Sequence, residues 1–234
     1  MADRSFLRRR ARPRVALLAM AAALALGAAM PQARAEGVMD FKLLTIAGKR
    51  GCPRDCADVI LARGEIDNNT ADAFTAFLSA HLQDHDLRPV VLLESPGGTV
   101  VGSMQLGTVL RTIGAAVIVA SARQDDHGTA RLAPGVCVSA CVYALMGGVR
   151  RVVPPNSLVG IHRMVIKEDV ETPSGTQTQQ IFGSRAIVDS LAAYTASMGV
   201  DPRLIGFAET VAPERLHIVT PREITRWKLG RPRL

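Results

Sequence analysis

Aromatic side chains are scarce in this 234-residue chain, at 4% of residues, so it lacks the stacking platforms on which single-stranded nucleic acids are held. Concentrated positive charge is scarce as well, although a formal net charge of +7 suggests otherwise. Residues 1–35 carry seven Arg and one Asp, and the remainder holds 21 basic against 20 acidic side chains. So nearly neutral a chain has no cationic field to collect phosphates, and no nucleic acid is expected among its partners. No histidine stands at zinc-like spacing from a cysteine pair, so no metal site is expected, and none of the motifs calls for a cofactor. Repeats and low-complexity tracts are absent. No apolar run reaches the roughly 20 residues of a membrane-spanning helix.

The longest such run, Val15 to Met30, is rich in alanine and leucine, follows Arg8, Arg9, Arg10, Arg12 and Arg14, and precedes the small-x-small triplet Ala33-Arg34-Ala35. That order is the pattern of a secretory signal peptide. Residues 1–35 are therefore read as a leader and residues 36–234 as one domain of about 200 residues, enough for a single sizeable core. The expected location is exported and periplasmic; an uncleaved leader would instead anchor the chain in a membrane. Four cysteines stand as two equally spaced pairs, Cys52 with Cys56 and Cys137 with Cys141, and in an exported chain disulfides are the expected use. Three pairings exist, and the two local ones are favoured because a bridge between Cys137 and Cys141 would lock the bend at Ser139. The alternative is reduced, buried thiols.

Strand and helix patterns alternate along the domain. Phe41 to Ile46 and Val59 to Ile66 read as strands, and Asn68-Asn69-Thr70 caps a helix with Phe74, Phe77, Leu78 and Leu82 at helical spacing. Val90 to Leu93 is apolar throughout, as in a central parallel strand. A helix from Val101 to Ile113 and a strand from Ala115 to Ala120 follow. Arg123 to Pro134, with Asp125, Asp126 and His127, reads as a polar loop, and Thr172 to Gln180 as a polar stretch without core pattern. Strands over 149–153 and 158–161, a long helix over 181–198, a helix from Asp201, and a terminal strand and capped helix complete the chain. His81 and His85 fall at a helix end, where solvation is the expected state. Strands and helices in this alternation predict a right-handed parallel α/β fold.

Three pieces carry chemistry. Ser139 lies where a short apolar strand turns into a helix, a bend that exposes a hydroxyl beside unpaired backbone N–H groups. Pro96-Gly97-Gly98 ends a buried strand, where ligands meet parallel sheets and glycines admit close backbone approach. His162 ends another apolar strand and is a candidate base for Ser139. In isolation each has a plainer reading: a helix cap, a turn and a structural histidine.

In order and spacing, Gly64-Glu65-Ile66, Ser95-Pro96-Gly97-Gly98 with Val101-Gly102, Gly135-x-x-x-Ser139 and Gly160-Ile161-His162 resemble the ClpP/crotonase superfamily, specifically ClpP-like serine peptidases and exported relatives of them. The resemblance implies an α/β fold built as a ClpP/crotonase-like superhelical stack of βαβ units with a mostly parallel sheet. It implies Ser139 as nucleophile, His162 as base, and the N–H groups of Gly98 (or Gly97) and Ala140 as the oxyanion hole. The expected substrate is a short peptide or unfolded protein, held by β-augmentation along the segment after Gly98 and the long helix, and homo-oligomers are expected. The chain departs from the pattern where a triad aspartate belongs: Leu216 aligns there, with Glu209 and Glu214 near but unmatched, and Arg163 follows the histidine. A non-catalytic peptide-binding module, a crotonase-type acyl-CoA enzyme and a serine–lysine mechanism through Lys167 are the competing readings.

Overall fold

The computed structural model describes residues 37–46, 57–81, 89–124 and 130–233, all in one compact unit. The leader, Cys52, Cys56, His85, Asp125, Asp126 and His127 lie outside the described residues. Strands β1 (Asp40–Ile46), β2 (Ala57–Arg63), β3 (Val90–Glu94) and β4 (Ala116–Gln124) alternate with helices α1 (Thr70–His81) and α2 (Val100–Thr112). Then come β5 (Ala130–Pro134), β6 (Val136–Val138), α3 (Cys141–Gly147), β7 (Arg150–Val152), β8 (Leu158–Ile161), β9 (Val165–Thr172) and β10 (Gly175–Phe182). Helices α4 (Arg185–Ser197) and α5 (Arg203–Ala208), strand β11 (His217–Ile218) and α6 (Pro221–Arg226) end the chain.

The main sheet runs β3-β2-β1-β5-β4-β7, and because β4 also pairs with β3, the first five close into a circuit. It is mixed: β2, β3, β4 and β7 are parallel, whereas β1 is antiparallel to β2 and β5 to β4. Alternation along these strands sorts two cores. Leu44, Leu61, Leu92, Ile118 and Ala130 pack on one face, and Ile60, Val91, Leu93, Val117 and Val119 pack on the other against Phe74, Leu106, Leu110 and Leu145 of the helices. β3 is buried on both faces, as its unbroken apolar run predicts. Behind the sheet α2 and α3 cross in backbone contact, for a Cβ on Gly147 would come within 2.0 Å of the Gly107 oxygen.

Three segments differ from their sequence reading. Much of the stretch read as a polar loop, Arg123 to Pro134, is strand, because β4 continues to Gln124 and turns back as β5. Thr172 to Gln180 belongs to an eight-rung antiparallel hairpin of β9 and β10, and all of β10 is exposed. The long helix accordingly begins at Arg185, capped by the Ser184 hydroxyl, which accepts from the Ile187 N–H.

Helix ends are gathered by two arginines. Arg151 donates to the carbonyls of Met146, Gly148, Met198, Lys228 and Leu229, and Arg111 to those of Met146 and Met198. These oxygens close α3, α4 and α6, where unpaired carbonyls and the negative dipole end attract a cation. Arg151→Met is expected to lower stability by about 3 kcal/mol, because it strands the Gly148, Lys228 and Leu229 carbonyls and leaves those of Met146 and Met198 to Arg111 alone; urea denaturation checks this.

At the C-terminal end, α6 starts with a capping box of Thr220 and Glu223, and His217 Nε2 lies 3.1 Å from both Glu223 oxygens. Burial would raise the Glu223 pKa, but hydrogen bonds from Thr220 and His217 outweigh it and hold the carboxyl below its ordinary value. A carboxyl lowered on folding stabilises above its unfolded pKa of about 4.3, and the contribution fades as pH falls through the folded value. Glu223→Gln should flatten that acid limb in denaturation curves recorded between neutral and strongly acidic pH.

Candidate active site

The site forms where parallel strands end together. β6 pairs with β8 in parallel, and Ser95, just past β3, bridges Cys137 of β6 in parallel through Ser95 N–H to the Val136 oxygen (2.8 Å) and Val138 N–H to the Ser95 oxygen (3.2 Å). The carboxyl ends of β3, β6 and β8 therefore deliver Pro96-Gly97-Gly98, Ser139 and His162 to one place, the position at which such sheets bind ligands.

Ser139 adopts φ +56°, a left-handed conformation that costs a non-glycine residue roughly 1–2 kcal/mol. Its N–H is tied to the Gly160 oxygen at 2.9 Å. A disulfide joins Cys137 to Cys141 across the bend, Cα to Cα 5.3 Å, and both cysteines are fully buried. The half-buried hydroxyl meets His162 Nε2 at 2.8 Å. On the other side of the ring, Nδ1 lies 2.8 Å from the Arg163 carbonyl oxygen. A carbonyl only accepts, so Nδ1 carries the proton and Nε2 presents a lone pair to the Ser139 O–H. That is the tautomer a general base requires.

Among the described residues no carboxylate is hydrogen-bonded to the His162 ring. Leu216 packs over Gly160, where an added Cβ would meet its side chain at 2.8 Å. Glu209 is turned to the neighbouring residues: it accepts from Arg163 Nε at 3.2 Å and from the Met164 N–H at 3.3 Å. The Arg163 guanidinium also stacks over the Phe182 ring at 4.3 Å, which links the site to the base of the β9–β10 hairpin. Glu209 lies near Tyr143, whose pKa is raised first by burial and then by that carboxylate. The carbonyl partner of His162 left no trace in the sequence, since every residue has a carbonyl.

The two glycines differ in use. The Gly97 N–H donates to Ser95 Oγ at 3.1 Å. Gly98 sits in a parallel bridge to Ile66 made by its neighbours' groups, the Gly97 oxygen and the Thr99 N–H. The N–H groups of Gly98 and Ala140 have no acceptor among the described residues, which leaves them free for an oxyanion. Both glycines hold positive φ, +113° and +134°. Among the described residues no three His, Cys, Asp or Glu side chains cluster to hold a metal.

No family model matches the chain, and no curated protein does. Among solved structures it is similar to two mutants of the 1510-N membrane-bound stomatin-specific protease. One is a serine-to-alanine mutant, at TM-score 0.50 and 17% identity, covering 73% of this chain and 75% of that one. The other, a lysine-to-alanine mutant in complex with a substrate peptide, aligns at TM-score 0.50 and 19% identity over 73% and 71%. The chain shares the mixed α/β fold of these proteases. At such identities the likeness concerns the fold alone.

Gly97 tests how closely the loop supports the nucleophile, because a Cβ there would lie 2.9 Å from Ser139 Cβ and from the Val138 oxygen. Gly97→Ala is expected to lose about 1–3 kcal/mol in chemical denaturation and to displace the Ser139 side chain, seen as a changed Ser139 environment by NMR.

Proposed function

We propose that this protein is a ClpP-like serine hydrolase, a peptidase acting on short or unfolded peptides. The observation that carries the reading is the 2.8 Å contact between Ser139 Oγ and a His162 Nε2 whose lone pair is made available by the Nδ1–H bond to the Arg163 carbonyl. Ser139 attacks the scissile carbonyl while its proton passes to Nε2. The oxyanion that forms is held by the Gly98 and Ala140 N–H groups, and His162 returns the proton to the leaving amine. Collapse of the intermediate leaves an acyl-enzyme, which water hydrolyses by the same proton relay in reverse order. Without a carboxylate on Nδ1 the imidazolium is less stabilised than in a full triad, but the tautomer is correct, and a wrong tautomer accounts for much of the loss when a triad acid is neutralised.

The bound substrate peptide of the similar stomatin-specific protease supports a peptide as occupant beside Gly97 and Gly98; the expected β-augmentation along the segment after Gly98 does not fit, because Thr99 caps α2 and the chain is helical from Val100, which leaves no strand edge there. Export to the periplasm, with residues 1–35 as leader, and assembly into homo-oligomers belong to the same proposal, as does the superhelical stacking of βαβ units. Unassisted by an ATPase, such an enzyme would take only chains that are already short or unfolded.

That no carboxylate among the described residues reaches the His162 ring favours one second reading, a peptide-binding module with little or no turnover. A lysine base is the other rival, raised by the lysine mutant among the neighbours. Lys167 sits on β9 opposite Gln180, whereas the Ser139 hydroxyl is already paired with His162.

Exposure of the purified protein to a fluorophosphonate, followed by peptide mass spectrometry, separates these. Labelling is expected at Ser139, absent in Ser139→Ala, lowered at least about 100-fold in His162→Ala and close to wild type in Lys167→Ala. A folded protein that takes no label would turn the assignment to the binding module.

A further inference from the structure

The strongest unexplained arrangement lies one peptide away from the catalytic histidine. The Arg163 carbonyl and the Met164 N–H belong to a single planar peptide group and point in opposite directions. The carbonyl end accepts from His162 Nδ1 at 2.8 Å, and the N–H end donates to Glu209 Oε1 at 3.3 Å. The order is thus carboxylate, peptide, imidazole, hydroxyl. The same short loop grips the preceding unit as well, since the Arg163 N–H donates to the Val211 oxygen at 2.9 Å. Glu209 also holds Arg163 Nε at 3.2 Å and is only 16% exposed.

We infer that Glu209 is a positioning residue for His162, acting through the Arg163–Met164 peptide in place of a carboxylate on the ring. The inference rests on the serine hydrolase reading. Hydrogen bonds in series polarise one another, and do so more strongly away from water. A carboxylate on the N–H end draws that proton and raises electron density on the carbonyl oxygen, making it a better acceptor for Nδ1–H when His162 becomes imidazolium. No proton crosses the peptide: the Ser139 proton stops at Nε2, and Nδ1 keeps its own. The same bond fixes the peptide plane and with it the ring orientation. The groups facing Glu209 are the Arg163 guanidinium, the Met164 N–H and Tyr143.

Glu209→Gln retains an oxygen for the Met164 N–H and removes the charge. It is expected to slow fluorophosphonate labelling of Ser139 about tenfold, roughly the effect of one charge-assisted hydrogen bond. Combined with His162→Ala, the same substitution is expected to slow the residual labelling no further. An equal loss in both backgrounds would reduce Glu209 to a structural role and overturn the inference.

A second readout is independent of turnover, and its His162→Ala arm does not need the Glu209 variant to fold. The Arg–Met dipeptide occurs once in the chain, so isotope labels on arginine carbonyls and methionine nitrogens isolate this peptide group by NMR. His162→Ala is expected to move both the Arg163 carbonyl and the Met164 N–H resonances, and Glu209→Gln to move the His162 Nδ1–H resonance upfield. A Met164 N–H that stays in place in His162→Ala would overturn the relay. Absence of any labelling in the wild-type protein, with these resonances coupled, would count against the hydrolase reading alone.

Discussion

Ser139 occupies a backbone conformation that its side chain disfavours, and much of the molecule is arranged to keep it there. The disulfide between Cys137 and Cys141 spans the bend, the Gly160 carbonyl holds the serine N–H, and Gly97, having no Cβ, leaves room for that of the serine. Strain of roughly 1–3 kcal/mol at one residue persists only where the surroundings over-determine it. Here those surroundings are the ends of three parallel strands, themselves fixed by the buried core of β3. The hydroxyl is presented because the backbone cannot relax.

Backbone carbonyls serve as counter-charges in two separate parts of the protein. Arg151 and Arg111 converge on helix-terminal oxygens, with no carboxylate partner for either among the described residues, and His162 rests on the Arg163 oxygen. A carbonyl dipole is weaker than an anion, but at helix ends several act together and the macrodipole adds to them. At His162 a single carbonyl acts with a carboxylate behind its peptide. In both places a nitrogen donor away from bulk water is met directly by carbonyl oxygens, which carry no formal charge.

The elements that were legible in the sequence are those with a buried face. Val90 to Leu93 is apolar throughout and proves central; Phe74 and Phe77 recur at helical spacing and pack on the sheet or against Phe41. Ser139 and His162 were legible as strand-end residues, and the structure brings them together. The β9–β10 hairpin was not, because nearly all its side chains meet water and no alternation of burial marks its strands; a cluster of β-branched residues around Pro173-Ser174-Gly175 was the one available signal. Ala130 to Pro134 shows no strand pattern in its sequence, because only Ala130 is buried in it.

What the sequence determined by itself is the alternation of strands and helices through the first four strands, the buried central strand, and the residues placed at the strand ends. Each of these is written in local periodicity, turn glycines or short spacing, and needs no distant partner. Only the tertiary structure decided that β1, β5 and β4 close the sheet into a circuit, that the N–H of Gly98 rather than Gly97 has no acceptor among the described residues, and that His162 faces a carbonyl with Glu209 behind it. These depend on backbone groups common to every residue and on contacts across 46 positions of chain, so residue identity could not announce them.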